Sequence, residues 1–337
     1  MILVTGGLGY IGSHTVVELQ NSGYDVVIID NLSNSQIEVL NCIETICGKR
    51  PAFEQIDLCD FDVVNIFLKK YRDIEAVIHF AAFKAVGESV EQPLKYYHNN
   101  IFSIVNLIEA IKSVGINNFV FSSSCTVYGQ PSKLPVTEKS PIKKAFSPYG
   151  NTKQICEEII NDCIDADKNF KAISLRYFNP IGAHDSALIG ELPLGVPSNL
   201  MPFITQTAIG KHEFLRVWGS DYDTPDGTAI RDYIHVVDLA QAHVVAVKRL
   251  IENQSKKQFE TFNLGTGVGY SVFDVIKSFE KTSGVKLNYK MLERRSGDVE
   301  KIWADTSFAN HELSWNAMRT LDEMTLSAWN WEKTLHD

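Results

Sequence analysis

The chain has no basic run: its 32 lysines and arginines are outnumbered by 41 aspartates and glutamates, for a formal net charge of −9. That balance argues against nucleic acid or an anionic membrane surface as partner, since both call for clustered cations. No apolar stretch approaches the ~20 residues that span a bilayer, and no charged leader with an apolar segment precedes the first apolar run. The expectation is a cytoplasmic chain with no membrane partner. Its six cysteines, Cys42, Cys47, Cys59, Cys125, Cys156 and Cys163, lack C-x-x-C or Cys/His ligand spacing. They read as reduced, mostly structural thiols, and no metal is expected. Internal repeats and low-complexity tracts are missing too.

What is present is burial capacity and a strong opening motif. Hydrophobic residues fill 45% of 337 positions, enough for two domains or one enlarged α/β domain with an appended lobe. The apolar run Ile2-Leu3-Val4 is broken by Thr5-Gly6-Gly7-Leu8-Gly9-Tyr10-Ile11-Gly12, after which Ser13 to Gln20 reads as helix. Written Gly7-x-Gly9-x-x-Gly12, the turn fits a dinucleotide fingerprint, in which missing side chains let backbone amides approach a pyrophosphate at a helix N-terminus. A second apolar run, Val26 to Ile29, ends in Asp30, 18 residues beyond Gly12. An acid there accepts from ribose hydroxyls and repels a 2′-phosphate, which favours NAD over NADP.

Strand and helix patterns then alternate, with strands over 52–56, 76–80, 119–123 and 172–177 and helices over 61–71, 94–114 and 149–165. Near-continuous apolar strands separated by helices predict an α/β fold with a Rossmann-type, doubly wound parallel sheet covered on both faces. Ligands bind beyond the carboxyl ends of such strands, where Gly9, Asp30, Asp57, Ala81, Ala82 and Ser124 all fall. The stretch 125–148 carries Gly129, Pro131, Pro135, Pro141 and Pro148 and reads as a long functional loop over that edge. After Asn179-Pro180 the texture turns glycine- and proline-rich, and a helix is predicted near 238–251. The expected division is a dinucleotide-binding domain over 1–178 and a smaller C-terminal α/β substrate lobe over 179–337, some segments of which return to the first sheet.

Tyr149 and Lys153 stand one helical turn apart and follow the serines Ser122, Ser123 and Ser124. Side chains four apart share a helix face, so the Lys153 ammonium can reach the Tyr149 phenol and favour its ionised form. A phenol titrates near ~10, and each unit of lowering corresponds to ~1.4 kcal/mol. One ammonium plus the positive ring of an oxidised nicotinamide can supply several kcal/mol in a partly dry cleft. The pattern points to hydride chemistry on an alcohol.

Thr5-Gly6-x-x-Gly9-x-x-Gly12, Ser122-Ser123-Ser124-Cys125-Thr126-Val127-Tyr128-Gly129, Ser147-Pro148-Tyr149-Gly150-x-x-Lys153, Arg176-Tyr177-Phe178-Asn179-Pro180, Asn199-Leu200-Met201-Pro202 and Arg231-Asp232-Tyr233-Ile234-His235-Val236 together resemble the extended short-chain dehydrogenases/reductases. Within them the chain is most similar to the UDP-glucose (UDP-galactose) 4-epimerase family, over nearly its whole length. The resemblance implies NAD held by Gly6, Gly9, Tyr10, Ile11, Gly12, Asp30, Asn31, Asp57, Leu58, Phe80, Ala81, Lys84, Asn99, Tyr149, Lys153 and Tyr177. It implies Ser124, Tyr149 and Lys153 in catalysis. For a UDP-hexose it implies Lys84, Ser124, Tyr149, Asn179, Asn199, Leu200, Trp218, Arg231, Tyr233, Arg295, Asp298 and Ile302. Arg231 and Arg295 also suit a forked grip on pyrophosphate in their own right, while Asn179 and Asn199 can hydrogen-bond uracil, ribose or sugar edges.

The implied cycle takes the proton of the hydroxyl at sugar carbon 4 onto Tyr149 while hydride passes to NAD+, with Ser124 donating to the same oxygen. The keto sugar then turns its other face before the hydride returns, so no net redox occurs and the cofactor stays bound. Three alternatives stand beside it. A 4,6-dehydratase needs an acid and base just before Val127-Tyr128-Gly129, where this chain has Cys125 and Thr126. A net dehydrogenase would release the reduced cofactor, and a cofactor-sensing regulator would not need the complete trio. At the position of a pocket wall, Ile302 stands where some members confined to plain hexoses carry Tyr, which predicts acceptance of 2-acetamido sugars as well. Finally, Ile101, Ile104, Val105, Ile108, Ile155, Ile159 and Ile160 spread over more than one helix face. They serve either the core or a two-fold interface, and the resemblance favours a homodimer.

Overall fold

A computed structural model of the protein describes residues 1–295 and 298–336; Ser296, Gly297 and Asp337 of the C-terminal part lie outside the described residues. In chain order the elements are β1 (Ile2–Thr5), α1 (Tyr10–Asn21), β2 (Val26–Asp30), α2 (Val39–Cys47), β3 (Ala52–Gln55), α3 (Phe61–Lys70), β4 (Ala76–His79), α4 (Val86–Glu91), α5 (Pro93–Ser113), β5 (Asn118–Ser124), a 3-10 turn (Cys125–Tyr128), α6 (Pro148–Ala166) and β6 (Lys171–Tyr177). There follow β7 (Asn179–Ile181), α7 (Leu200–Ala208), β8 (Leu215–Trp218), β9 (Ile230–His235), α8 (Val236–Ile251), β10 (Phe259–Leu264), β11 (Gly269–Ser271), α9 (Val272–Ser283), β12 (Tyr289–Leu292), β13 (Lys301–Ile302), α10 (Ser307–Leu313) and α11 (Leu321–Thr334).

Two units share these elements. The first takes Met1–Gly129, Ile142–Arg176 and Ala240–Phe262, and the second Gln130–Pro141, Tyr177–Leu239 and Asn263–Asp337. The chain therefore crosses more often than a division at residue 178 describes. β10 lies beside β6 as the seventh strand of the first sheet, so it covers an otherwise open edge. Segment 130–141 joins the second unit because Val136 is held on both sides of its peptide, its N–H donating to Trp303 O at 2.9 Å and its carbonyl accepting from Asp305 N at 2.7 Å.

In the first unit the strand order is β3-β2-β1-β4-β5-β6-β10, the doubly wound Rossmann arrangement with its reversal between β1 and β4. β1 pairs in parallel with β2 and β4, β2 with β3, and β4 with β5. Leu3, Val27, Val77, Ile104 and Phe119 are fully buried in one apolar cluster, as expected when helices cover both faces of a parallel sheet. Helix α1 begins at Tyr10, three residues before the pattern predicts, because Gly9 is its N-cap and the glycine turn runs straight into it. Short helices α2 and α4 were not expected, and the segment from Cys125 opens as a 3-10 turn rather than as loop.

In the second unit β9 is the hub. It pairs in parallel with β7 and β13 and antiparallel with β11. Below it Ile204, Val217, Val275, Phe279 and Met324 form a separate apolar cluster. Among the described residues no helix is long and apolar enough to cross a membrane, no group of side chains is arranged to hold a metal ion, and all six cysteines are free thiols.

Each unit buries a histidine. His79 ends β4 and pairs its Nδ1 with Thr5 Oγ1 at 2.8 Å; burial, aided by the Lys153 charge, pushes its pKa down to about 3. His235 accepts from Val237 N at 3.1 Å and pairs with Ser327 Oγ at 3.0 Å, and burial likewise takes it down to about 3. Both stay neutral when folded, whereas an unfolded histidine takes a proton near ~6.5. The unfolded state thus binds more protons across that window, so stability is intact above ~6.5 and falls as pH drops, by ~1.4 kcal/mol per unit for each histidine. Denaturant midpoints measured from pH 7 down to 5 should decline, and His79→Gln should remove about one proton from the slope. An unchanged slope in that variant would show that His79 is protonated in the folded protein.

Candidate active site

The glycine turn is shaped by close backbone approach. Gly6 has φ +69°, in the left-handed region, and a Cβ there would sit 2.7 Å from the Ala81 nitrogen. At Gly12 a Cβ would run into the Gly6 carbonyl oxygen. Side chains are therefore excluded from both positions, and the start of α1 stays bare. The N-cap residue of α1, Gly9, has no side chain to cap the helix, so the helix dipole and the bare turn make a seat for an anion. Tyr10 and Ile11 fill that first turn beside Gly12. Asp30, at the end of β2, is oriented by three donors: Leu8 N at 3.1 Å on Oδ2, with Leu32 N at 3.0 Å and Ser35 Oγ at 2.8 Å on Oδ1.

Beyond β2 and β3, Asn31 Nδ2 donates to Asp57 Oδ2 at 3.2 Å, and the Leu58 carbonyl accepts from Asn106 at 2.9 Å. On the other side of β1, Phe80 donates its N–H to Thr5 O at 3.0 Å and packs on His243. The Lys84 ammonium lies 5.9 Å from the Tyr10 ring centre. Asn99 donates to Asn100 at 3.0 Å. Tyr177 closes β6 and is buried. The donor set fits a dinucleotide: a cradle that any Cβ would fill, at an uncapped helix N-terminus, with an acid at the end of the second strand.

Helix α6 is started by Ser147, whose Oγ accepts from Gly150 N at 3.1 Å, with Pro148 at its first position. This local stop places Tyr149 in the first turn and Lys153 one turn later. The Lys153 ammonium is 4% exposed; it donates to Ser122 O at 2.7 Å and Ser122 Oγ at 3.4 Å, beneath the Phe121 ring. Ser124, the last residue of β5, accepts from Thr126 N at 3.2 Å and neighbours the Tyr149 phenol. The trio is thus brought together. Burial pushes the Tyr149 phenol up to about 12, with the Ser124 hydroxyl acting the other way, and takes the Lys153 amine down to about 8. Burial sets the direction of both shifts; the lowering expected of the phenol joins the ammonium to the positive ring of an oxidised nicotinamide.

In the second unit, Arg231 and Tyr233 share one face of β9. Asn179 lies opposite Tyr233 on β7, and Ile302 opposite Arg231 on β13. Burial pushes the Tyr233 phenol up to about 12. Asp298 draws two cations: Arg295 donates to both its oxygens at 2.9 and 3.2 Å, and Arg231 stands 4.0 Å away. Asn199 caps α7 ahead of Leu200 and donates to Glu191 at 2.6 Å. Trp218 ends β8 and is exposed.

Three features went unread in the sequence. The Thr126 hydroxyl is buried with no hydrogen-bond partner. Asp232, inside the Arg231–Val236 motif, is wholly buried and accepts from Thr266 N, Thr266 Oγ1, Gly267 N and Ala304 N at 2.8 to 3.1 Å. Glu157 lies four residues after Lys153, a spacing that was available as a signal.

A profile of the family described as GDP-mannose 4,6 dehydratase matches residues 3–327. The UDP-glucose 4-epimerase of Bacillus subtilis (strain 168) is 51% identical over 333 residues, covering 99% of this chain and 97% of that protein. Among solved structures, the UDP-glucose 4-epimerase from Bifidobacterium longum in complex with NAD+ and UDP superposes with a TM-score of 0.95 at 45% identity, over 99% of this chain and 98% of that one. The UDP-Glc/GlcNAc 4-epimerase from Campylobacter jejuni gives 0.84 at 36% identity, over 99% of both.

Proposed function

The chain belongs to the UDP-glucose 4-epimerase family, and on that premise we propose that it interconverts UDP-glucose and UDP-galactose by transient oxidation at sugar carbon 4. The observation that carries the chemistry is the buried Lys153 ammonium, held by the Ser122 carbonyl at 2.7 Å one helical turn from Tyr149, with Ser124 at the end of the same strand. The turn from Gly6 to Gly12, with Asp30, Asn31, Asp57, Leu58, Phe80, Ala81, Lys84, Asn99 and Tyr177, holds NAD. When bound, NAD+ supplies a hydride acceptor and donor and a positively charged ring. Near that charge Tyr149 gives up its phenolic proton, and its oxygen takes the proton of the carbon-4 hydroxyl and later returns it. Ser124 donates a hydrogen bond to the same sugar oxygen. Lys153 holds positive charge one turn from the phenolate.

Arg231 and Arg295 grip the diphosphate, exchanging the Asp298 carboxylate for phosphate oxygens. Asn179, Asn199, Leu200, Trp218 and Tyr233 line the nucleotide. A grip on the UDP part leaves the hexose free to turn between the two hydride steps. Elimination of water, as in a dehydratase, lacks its acid and base here, since Cys125 and Thr126 occupy those places at the start of the 3-10 turn. The six free thiols favour a reducing, cytoplasmic setting.

Two finer readings accompany this. Ile302 is 3% exposed and paired with Arg231; lacking the ring of a tyrosine, it leaves space for a 2-acetamido group, so UDP-GlcNAc and UDP-GalNAc are substrates too. The protein is also a homodimer through α5 and α6, where Phe102 and Val105 are 53% and 41% exposed while Ile104, Ile108 and Ile160 are buried.

Tyr149→Phe should lower turnover by ~100-fold or more with UDP binding nearly intact; retention of over half the rate would remove Tyr149 from the mechanism. Ile302→Tyr should keep most of the plain-hexose rate and lose most of the N-acetyl rate, since the added ring overpacks only the larger sugar. Failure of the wild type to convert UDP-GalNAc while epimerising UDP-galactose would refute the open pocket. In sedimentation, the wild type should run as a dimer and Phe102→Glu/Val105→Glu as a monomer; a monomeric wild type ends the dimer reading.

A further inference from the structure

Glu157 lies on α6 one turn beyond Lys153 and is 5% exposed. Its Oε1 accepts from Ser123 Oγ at 2.6 Å, Ser174 Oγ at 2.7 Å and Arg176 Nε at 2.9 Å, and its Oε2 from Arg176 Nη2 at 2.5 Å. Arg176, equally buried, donates through Nη1 to the Tyr128 hydroxyl at 3.0 Å and lies over that ring. One carboxylate thus ties α6 to β5 through Ser123, to β6 through Ser174 and Arg176, and through Arg176 to the last residue of the 3-10 turn. Ser124 stands in the chain between the two tied points, Ser123 and Tyr128. Tyr149 and Lys153 ride on the tied helix.

The groups that act on Lys153 are few. On α6 they are Tyr149, Cys156 and Glu157, on β4 His79, and on β5 the Ser122 oxygens and the Phe121 ring. Burial keeps three of them uncharged: the Tyr149 phenol and the Cys156 thiol are pushed up to about 12, and His79 down to about 3. Glu157 forms its ion pair with Arg176, at 2.5 Å, rather than with the ammonium. Stability alone gives little reason for such a pair, since apolar replacement of a buried ion pair is often neutral or stabilising.

We propose that Glu157 is a positioning residue for the reaction: by tying α6 to β5, to β6 and, through Arg176, to the end of the 3-10 turn, it holds Ser124 beside Tyr149. This role rests on the function proposed above, in which Tyr149 and Lys153 handle the proton. Glu157→Gln alone would leave Arg176 buried without its partner, so the informative variant is the apolar double replacement Glu157→Leu/Arg176→Met in the holoenzyme. Its melting temperature and UDP affinity should stay near wild type. Turnover should fall about 10-fold while UDP affinity is unchanged, a loss in kcat rather than in binding. A folded double variant with wild-type turnover would overturn the proposal. Should that variant fail to fold, Ser123→Ala decides, since it keeps both charges: an about 3-fold or greater drop in turnover at unchanged UDP affinity supports the positioning role, and wild-type turnover overturns it. Tyr149→Phe is run alongside. Wild-type activity in Tyr149→Phe defeats the underlying reading, whereas its inactivity beside a fully active Glu157 variant defeats the positioning role alone.

Discussion

The Lys153 ammonium is buried against the end of β5, and the rest of the catalytic geometry follows from how that charge is satisfied. A buried cation without partners is strongly unfavourable. Lys153 finds the Ser122 carbonyl at 2.7 Å, so α6 must lie close to β5. That closeness brings Tyr149, one turn earlier, to the last residue of the strand, Ser124. The helix cannot slide without exposing an unpaired ammonium, and its start is fixed independently by the Ser147 cap and Pro148.

The same burial sets the proton chemistry. With the phenol at about 12 and the amine at about 8, the resting state is a neutral phenol beside a weakened ammonium. A positive charge arriving next to both shifts the phenol far more usefully than it would in water, because screening is poor there. In the second unit the Asp298 carboxylate gathers two guanidinium groups instead, Arg295 donating at 2.9 Å and Arg231 standing 4.0 Å away.

Irregular segments are held by buried acids rather than by regular ladders. Asp30 gathers Leu8, Leu32 and Ser35, and Asp232 gathers Thr266, Gly267 and Ala304. Asp238 accepts from the backbone of Met318 and Arg319, both at 2.9 Å. Each carboxylate satisfies amides that a turn would otherwise leave unpaired, and charge-assisted bonds of this kind are about twice as strong as neutral ones. Removing one would leave several buried donors without acceptors.

Features encoded within a few residues were legible in the chain itself. The glycine turn, Asp30 at a strand end, the Ser147-Pro148 start and the four-residue step from Tyr149 to Lys153 depend on local backbone geometry, sterics and helical period, so the doubly wound fold and the trio could be read directly. Non-local features could not. β10 returns to the first sheet because the edge of β6 needs cover, and no pattern within 259–264 names that partner. Glu157 looks like any helical acid until β6 sets Arg176 and Ser174 against it. The burial of Tyr149 is non-local for the same reason: spacing reveals which charge can reach the phenol, but only the packed structure decides how much water is removed from it.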